Sequence, residues 1–168
     1  QEARLDEQRR QHLLRMVEEE VRRREAAIRR DTDPAFRALA EENLRQSQAF
    51  HDLVGKEEGV TTTPSGLQYK VVSEGSGPKP GVDSVAVVSF RATRIDGTAF
   101  VSGAMEPVVV RETVPGVQQF LLMMPAGSRW RVAIPPSLAF GDLGLPPELG
   151  PNESILVDVT LHEVRQAE

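Results

Sequence analysis

Hydrophobic and polar residues follow two different periods along the chain. In the first part, apolar positions recur every three or four residues, as they do on one face of an α-helix. From Gly66 onward they alternate with polar positions in short runs, separated by segments rich in Gly and Pro, which is typical of β-strands and turns. The sequence therefore predicts a helical arm over residues 1–58, a connector over 59–66 and a strand-rich domain over 67–168.

The arm is predicted to contain two helices. The first covers residues 1 to about 30 and carries a narrow apolar stripe, formed by Leu14, Val17, Val21 and Ile28, with Leu13 and Met16 beside it. Asp33 can cap a second helix, and Pro34 suits its first position. This helix runs to about Val54 and ends at Gly55. Its apolar face is formed by Phe36, Leu39, Ala40, Leu44, Phe50 and Leu53.

Two interpretations of the first helix remain open. It is either a solvated helix with a thin apolar stripe or a dedicated dimerisation helix. A helix this polar is marginal on its own in water, so its stripe needs a partner surface. Two copies packing stripe to stripe would provide one, since cyclic homodimers are the commonest oligomers. Its many arginines alternate with glutamates, which favours ion pairs along the helix over an anion-binding patch.

The second part of the chain is predicted to fold as an α+β domain. A curved antiparallel sheet, in the form of a half-barrel, would close over one short helix. The helix is expected over residues 115–125, between Pro115 and Pro125. The strands are expected over residues 67–72, 84–94, 107–111, 129–134 and from 155 to the end of the last alternating run.

One of these strands leads directly into an exposed loop that carries an aromatic ring. Trp130, Val132 and Ile134 alternate with polar or small residues, as in a half-buried strand. The following pair of prolines ends the strand, because proline offers no N–H for the sheet. Phe140 then lies in the loop, which makes it a candidate binding residue, whereas Trp130 and Phe120 are expected in the core.

Composition narrows the classes of function. The net charge of −5 argues against nucleic acid as the main partner. No apolar run approaches the roughly 20 residues of a membrane-spanning helix. The chain has no cysteine, and its three histidines, His12, His51 and His162, lack the spacing of metal ligands. Neither a cofactor nor a metal is therefore expected, and the remaining candidate chemistry is apolar and aromatic.

Several segments of the second part resemble FKBP-type peptidyl-prolyl cis–trans isomerases, in the order found in that family. They are Gly66-Leu-Gln-Tyr-Lys70, Ile95-Asp-Gly-Thr98 followed by Phe100, Val114-Pro-Gly116, Leu122-Met-Met-Pro-Ala-Gly-Ser128, Ile134-Pro-Pro-Ser-Leu-Ala-Phe-Gly141 and Leu156-Val-Asp-Val-Thr-Leu-His-Glu-Val164. The resemblance covers about a hundred residues. The arm is similar to that of macrophage-infectivity-potentiator-like members, in which an N-terminal helical region forms the dimer.

The resemblance implies a set of site residues. Phe90, Phe100, Phe140 and the backbone N–H of Val114 would contact the substrate. The pocket would be completed by Val101, Val110, Thr113, Val117 and Val157. Several of these positions depart from the family pattern. Phe90 and Phe140 stand in place of Tyr, Val101 in place of Asp, Val117 in place of the Trp that forms the pocket floor, and Val157 in place of Phe.

The function implied is isomerisation of X-Pro bonds in unfolded or proline-containing client polypeptides, with a role as a folding chaperone. The divergent pocket predicts weak catalysis. The alternative is a non-catalytic binding module of the same fold, or a structural subunit of an envelope assembly. A homodimer through the arm is expected, in the bacterial periplasm or cell envelope, with any leader absent from this chain and no nucleic acid bound.

Overall fold

The computed structural model describes residues 2–166. The three α-helices are α1 (Glu2–Thr32), α2 (Pro34–Val54) and α3 (Pro115–Met123). The six strands are β1 (Val60–Thr62), β2 (Gln68–Ser73), β3 (Val85–Thr93), β4 (Ala99–Val109), β5 (Arg129–Ile134) and β6 (Ile155–Arg165). Two short 3-10 helices cover Val110–Glu112 and Pro136–Leu138.

The strands form one antiparallel sheet in the order β1-β2-β5-β6-β3-β4, so β5 and β6 lie at its centre. The core between the sheet and α3 is apolar, and its fully or almost fully buried side chains include Leu67, Phe120, Leu121, Ile134 and Leu161. The predicted α+β fold, with an antiparallel sheet, one short helix and a preceding helical arm, is confirmed.

The edge strands differ from the prediction. β4 begins at Ala99, eight residues before the predicted strand, and Val110 and Arg111 lie in a 3-10 helix instead. Pro107 is the first residue of the predicted strand, but in the structure it lies inside β4. It is tolerated there because β4 is at the sheet edge, where a proline need not donate to a neighbour. The register also shifts between Val88 and Phe90, where β4 contains one more residue than β3 and forms a bulge.

The connector also contains a strand that the sequence did not indicate. β1 pairs with β2 through Val60↔Lys70, Thr61↔Tyr69 and Thr62↔Gln68. The segment that links the arm to the domain is therefore part of the sheet. This pairing fixes the end of α2 close to the sheet edge.

The junction of α1 and α2 follows the predicted capping chemistry. The Asp33 carboxylate accepts a hydrogen bond of 2.9 Å from the Ala35 N–H, and Pro34 is the first residue of α2. The Arg29 guanidinium lies 5.0 Å from the centre of the Phe36 ring, a cation–π contact. Phe36 and Ala26 are both almost fully buried, so the two helices meet at a packed bend.

The face of α2 that packs against the domain is polar and is not the apolar face that the sequence indicated for this helix. Asn43 Nδ2 donates to the Pro151 carbonyl at 2.9 Å, and Ser47 Oγ donates to the Asn152 carbonyl at 2.8 Å. Asn152 in turn donates to the α2 backbone at 3.1 Å. Leu39 and Leu53, from the predicted apolar face, are 48% and 67% exposed.

His51 ends this polar face and joins α2 to two other elements. Its Nδ1 lies 2.6 Å from Gln68 Oε1 and its Nε2 lies 2.8 Å from Ser154 Oγ. Gln68 Nε2 donates to the His51 carbonyl at 2.8 Å and to Thr62 Oγ1 at 3.3 Å. Burial lowers the pKa of His51, since it disfavours the charged ring. The neutral ring satisfies both neighbours by donating from Nδ1 and accepting at Nε2.

This network predicts a pH dependence of stability. The unfolded chain takes up a proton at His51 as the pH falls below about 6.5, whereas the folded chain takes it up only at lower pH. The free energy of unfolding should therefore fall between pH 7 and pH 5, above the range in which carboxylates titrate. Chemical denaturation at the two pH values measures it.

His51→Gln should remove this pH difference and destabilise the protein at pH 7 by about 1–3 kcal/mol, because Ser154 and Gln68 lose partners. His12→Gln, on the exposed side of α1, is the control and should keep the full difference. An unchanged pH dependence in His51→Gln would show that the network does not hold the ring neutral.

Candidate functional site

An apolar cavity of 410 Å³ opens between α3, the sheet and the loop that follows β5. Phe120 on α3 lies at its base and is almost fully buried. β3 contributes Phe90, β4 contributes Phe100, and β6 contributes Val157. Phe140, from the loop, closes the remaining side. The cavity is thus framed by three aromatic side chains that are only partly buried.

Eight of the nine site residues suggested by the resemblance line this one cavity. They are Phe90, Phe100, Val101, Thr113, Val114, Val117, Phe140 and Val157. Val110 does not line it. Its side chain is 0% exposed and belongs to the apolar core, because the 3-10 helix after β4 turns it inward. Val101, by contrast, is 45% exposed at the rim.

The segment before α3 offers a free backbone donor at the cavity. Thr113 is less available, since both its N–H and its hydroxyl donate to the Val110 carbonyl, at 3.2 Å and 2.7 Å. The Val114 carbonyl accepts from Gln118 as α3 begins. The hydrogen bonds described for residues 2–166 do not use the Val114 N–H. A carbonyl group bound in the cavity can therefore accept from this amide.

The loop that carries Phe140 is held by backbone hydrogen bonds. Gly141 N–H donates to the Pro136 carbonyl at 2.9 Å, and Gly144 N–H donates to the Phe140 carbonyl at 3.1 Å. Asn152 N–H donates to the Gly141 carbonyl at 2.8 Å. Since Asn152 also bonds to α2, the loop and the arm are braced against each other. Phe140 is consequently fixed at the cavity edge although it lies outside regular structure.

Sequence reasoning missed a contribution from the arm. Glu19 and Arg22 of α1 also line the cavity. Arg22 Nη1 pairs with Glu148 Oε2 at 2.6 Å, and Arg30 Nη1 pairs with Asp142 Oδ2 at 3.3 Å. These pairs join residues more than a hundred positions apart, so no local pattern predicts them. A signal exists in the spacing of Arg22, Ala26 and Arg30, which places them on one face of α1, opposite the apolar stripe.

The structure also bears on metal binding and on membrane insertion. Within residues 2–166, no group of three or more His, Asp or Glu side chains is placed to hold a metal ion. Both ring nitrogens of His51 already have hydrogen-bond partners. Over the same range, none of the helices combines the length and the apolar character that crossing a membrane requires.

A half-open sheet over one helix, with an aromatic-framed cavity between them, defines an FKBP-type domain, and comparison with known proteins agrees. Residues 77–162 match the family model "FKBP-type peptidyl-prolyl cis-trans isomerase". Residues 1–71 match the model "Domain amino terminal to FKBP-type peptidyl-prolyl isomerase". The chain therefore belongs to the FKBP-type peptidyl-prolyl isomerase family, in the group that carries an N-terminal helical domain.

Proteins from two bacteria illustrate the similarity. "Outer membrane protein MIP" of Legionella longbeachae is 38% identical over 136 residues, which are 79% of this chain and 58% of that protein. The "FKBP-type 22 kDa peptidyl-prolyl cis-trans isomerase" of Escherichia coli K12 is 34% identical over 86% of this chain and 69% of its own length. The crystal structure of FkpA from Escherichia coli superposes with a TM-score of 0.78 at 28% identity, over 90% of this chain and 73% of that one. The chain thus spans a little over half of some curated relatives.

The geometry of α3 generates a prediction. Gly116 lies in the first turn of α3, where a Cβ would come 2.4 Å from Ile134 Cγ2 and 3.0 Å from the Leu138 carbonyl. Gly116→Ala should push α3 away from β5 and destabilise the protein by about 1–3 kcal/mol. Because Val117 moves with the helix, ligand binding in the cavity should weaken as well.

Thermal or chemical unfolding measures the stability, and Gly81→Ala is the matched control. A Cβ at Gly81 meets only an ordinary contact of 3.5 Å with Ser84 Oγ, so this variant should keep wild-type stability. If Gly116→Ala unfolds at the same denaturant concentration as Gly81→Ala, the close packing of α3 on β5 is not a constraint.

Proposed function

We propose that the chain catalyses the cis–trans isomerisation of X-Pro bonds in client polypeptides. The observation that carries the proposal is the solvent-open apolar cavity framed by Phe90, Phe100 and Phe140, with the Val114 N–H beside it. A prolyl ring is apolar and compact and suits such a cavity. The family membership of the chain and the printed names of its relatives support the same reaction.

The reaction suits a site built without acid or base groups. Amide resonance opposes rotation about an X-Pro bond with a barrier of about 20 kcal/mol. The planar amide is charge-separated, and water stabilises that separation. Moving the bond to an apolar wall removes this stabilisation and favours the twisted amide relative to the planar one. A donor such as the Val114 N–H can hold a substrate carbonyl while the bond rotates.

The divergent side chains support slow catalysis. Phe140 has no hydroxyl to donate, Val101 carries no charge at the rim, and Val117 leaves the cavity without the large ring that the family resemblance places there. These same three residues favour a second candidate function, namely a binding module that holds proline-containing segments without isomerising them efficiently. Kinetics distinguish the two functions.

Wild-type protein should accelerate isomerisation of short Ala-Leu-Pro-Phe peptides above the thermal rate in a protease-coupled assay. Phe100→Ala should reduce kcat/KM by about tenfold, because it removes one wall of the cavity. Phe50→Ala removes a ring of the same size from α2, outside the cavity, and should leave kcat/KM unchanged. A wild-type rate equal to the thermal background would leave only the binding module.

The combined substitution Val101→Asp, Val117→Trp and Phe140→Tyr should raise kcat/KM, since it adds a floor ring and two polar groups. Unfolding of the triple variant must first match that of wild type. A folded triple variant without a gain in rate would show that these three positions do not limit catalysis.

The arm is proposed to form a homodimer. The apolar stripe of α1 is unburied in the single chain, with Leu14, Val17, Val21 and Ile28 between 46% and 61% exposed. The opposite face of α1 already contacts the domain, so the stripe is available to a second copy. A dimer would bury two such stripes and hold two cavities for one unfolded client, which is the arrangement proposed for a chaperone role.

The double substitution Leu14→Glu and Val17→Glu should convert the dimer to a monomer, because packing two stripes would then bury four carboxylates. Light scattering gives the molar mass. Arg15→Glu changes the net charge by the same two units outside the stripe and should remain a dimer. A dimeric double variant would place the interface elsewhere.

The periplasm or cell envelope is the proposed location. The support is the printed name of the Legionella relative, an outer membrane protein. Client polypeptides rather than nucleic acid are the proposed partners, in keeping with the net charge of −5.

A further inference from the structure

The wall of the cavity includes a charged pair that does not come from the FKBP-type domain alone. Arg22 belongs to α1, and its Nη1 contacts Glu148 Oε2 at 2.6 Å. Both residues line the cavity, together with Glu19 from the same helix. The Arg22 side chain is only 30% exposed although it sits on the most polar helix of the chain. The arm therefore supplies part of the site wall.

Arg22 carries an unused donor. Its Nε is shielded from solvent, so a ligand does not reach that atom. Its Nη1 contacts Glu148, whereas its Nη2 makes no hydrogen bond among the described residues. A guanidinium has five N–H donors in a fixed plane, so Glu148 can hold Nη1 while Nη2 remains free for another acceptor.

The other polar side chains around the cavity cannot donate in the same way. The Thr113 hydroxyl already donates to the Val110 carbonyl at 2.7 Å, and Phe140 has no polar atom. Glu19 and Glu148 only accept when ionised. Arg22 is consequently the cavity-lining side chain, within residues 2–166, that carries N–H groups.

The charges around Arg22 indicate which acceptor it suits. Glu148 neutralises the guanidinium, and Glu19 adds a further negative charge at the same cavity wall. A carboxylate ligand would be repelled by these two groups. A neutral carbonyl oxygen can accept from Nη2 without that penalty.

We propose that Arg22 is a substrate-binding residue whose Nη2 donates to a backbone carbonyl next to the bound proline, so that the arm completes the site. The inference rests on the proposed function of the cavity. It gives α1 two roles on opposite faces, with Arg22 directed to the client and the apolar stripe directed to a second copy. The donor that Phe140 lacks is then provided by a different element.

Arg30 provides a matched control, because it makes a similar contact without touching the cavity. It pairs with Asp142 at 3.3 Å, on the same loop region that holds Glu148. A merely structural role of Arg22, in which it docks α1 onto the loop, predicts equal effects of substituting either arginine. A binding role predicts an effect at Arg22 alone.

The experiment compares full-length wild type, Arg22→Met, Arg22→Lys and Arg30→Met. Met keeps the length of the apolar stem but removes every donor. The dissociation constant of a labelled Ala-Leu-Pro-Phe peptide is measured by fluorescence anisotropy, with Ala-Leu-Ala-Phe as the counterpart. Arg22→Met should weaken binding of the proline peptide about fivefold, the size expected for one lost hydrogen bond. Arg22→Lys should stay weakened, because its single ammonium group pairs with Glu148 and leaves no second nitrogen for the substrate. Arg30→Met should bind as wild type does.

Each outcome decides one of two questions. Three results would overturn the role of Arg22. The first is equal weakening of binding by Arg22→Met and Arg30→Met, and the second is wild-type binding by Arg22→Lys. The third is unchanged or tighter binding by Arg22→Met. If wild type prefers the proline peptide in any of these cases, the proposed function stands. A different result is also decisive, namely that Arg22→Met loses binding while wild type binds both peptides with equal affinity. It would support the role of Arg22 as a hydrogen-bond donor and overturn the specificity of the cavity for proline.

Discussion

The hydrogen-bonded contact between α2 and the segment that precedes β6 determines how the two parts of the chain are arranged. Asn43, Ser47 and His51 lie at intervals of four on α2 and bond to Pro151, Asn152 and Ser154 in turn. Four-residue spacing puts them on one helix face. Since Asn152 also bonds to Gly141, the same contact reaches the loop that carries Phe140. The arm and the cavity are thus parts of one hydrogen-bonded unit.

This contact also determines the position of α1. The bend at Asp33 sends the chain back over the loop region, where Arg30 meets Asp142 and Arg22 meets Glu148. Exposed ion pairs contribute little stability by themselves, typically about 0–1 kcal/mol. These ion pairs are informative mainly because they show which face of α1 contacts the domain. The face left over is the apolar stripe, so the proposed dimer contact and the proposed substrate contact would use different residues of α1.

The proposed reaction depends on the shape and the apolar walls of the cavity more than on reactive groups. Its walls are almost entirely apolar, and the donors near it are the Val114 amide and, as we propose, Arg22. An apolar site weakens the planar amide, whereas each donor fixes the orientation of a carbonyl. Phe140 has no hydroxyl to orient a carbonyl, but it keeps the apolar contribution. The proposed activity would therefore be reduced rather than absent.

Much of this arrangement could be predicted from the sequence. The cap at Asp33, the extent of α2 and the strands around Trp130 and Val157 follow from local patterns, since capping and alternation are short-range effects. The family motifs located the residues that meet at the cavity, with the exception of Val110, which a 3-10 turn directs into the core. The start of β4 was missed because a proline inside a strand, here Pro107, is tolerated only at a sheet edge. The edge position depends on the tertiary fold and is not visible in the sequence. The contacts of Arg22 and of the polar face of α2 were missed because they depend on tertiary packing.

The most direct test of the central claim is a map of where a proline peptide binds. Nuclear magnetic resonance of isotope-labelled full-length protein reports shifts of individual backbone amides during titration. We predict that Ala-Leu-Pro-Phe shifts the amides of Phe100, Val114 and Phe140 most strongly, and that Ala-Leu-Ala-Phe shifts them far less. Equal responses to both peptides, or shifts confined to surfaces away from the cavity, would contradict it.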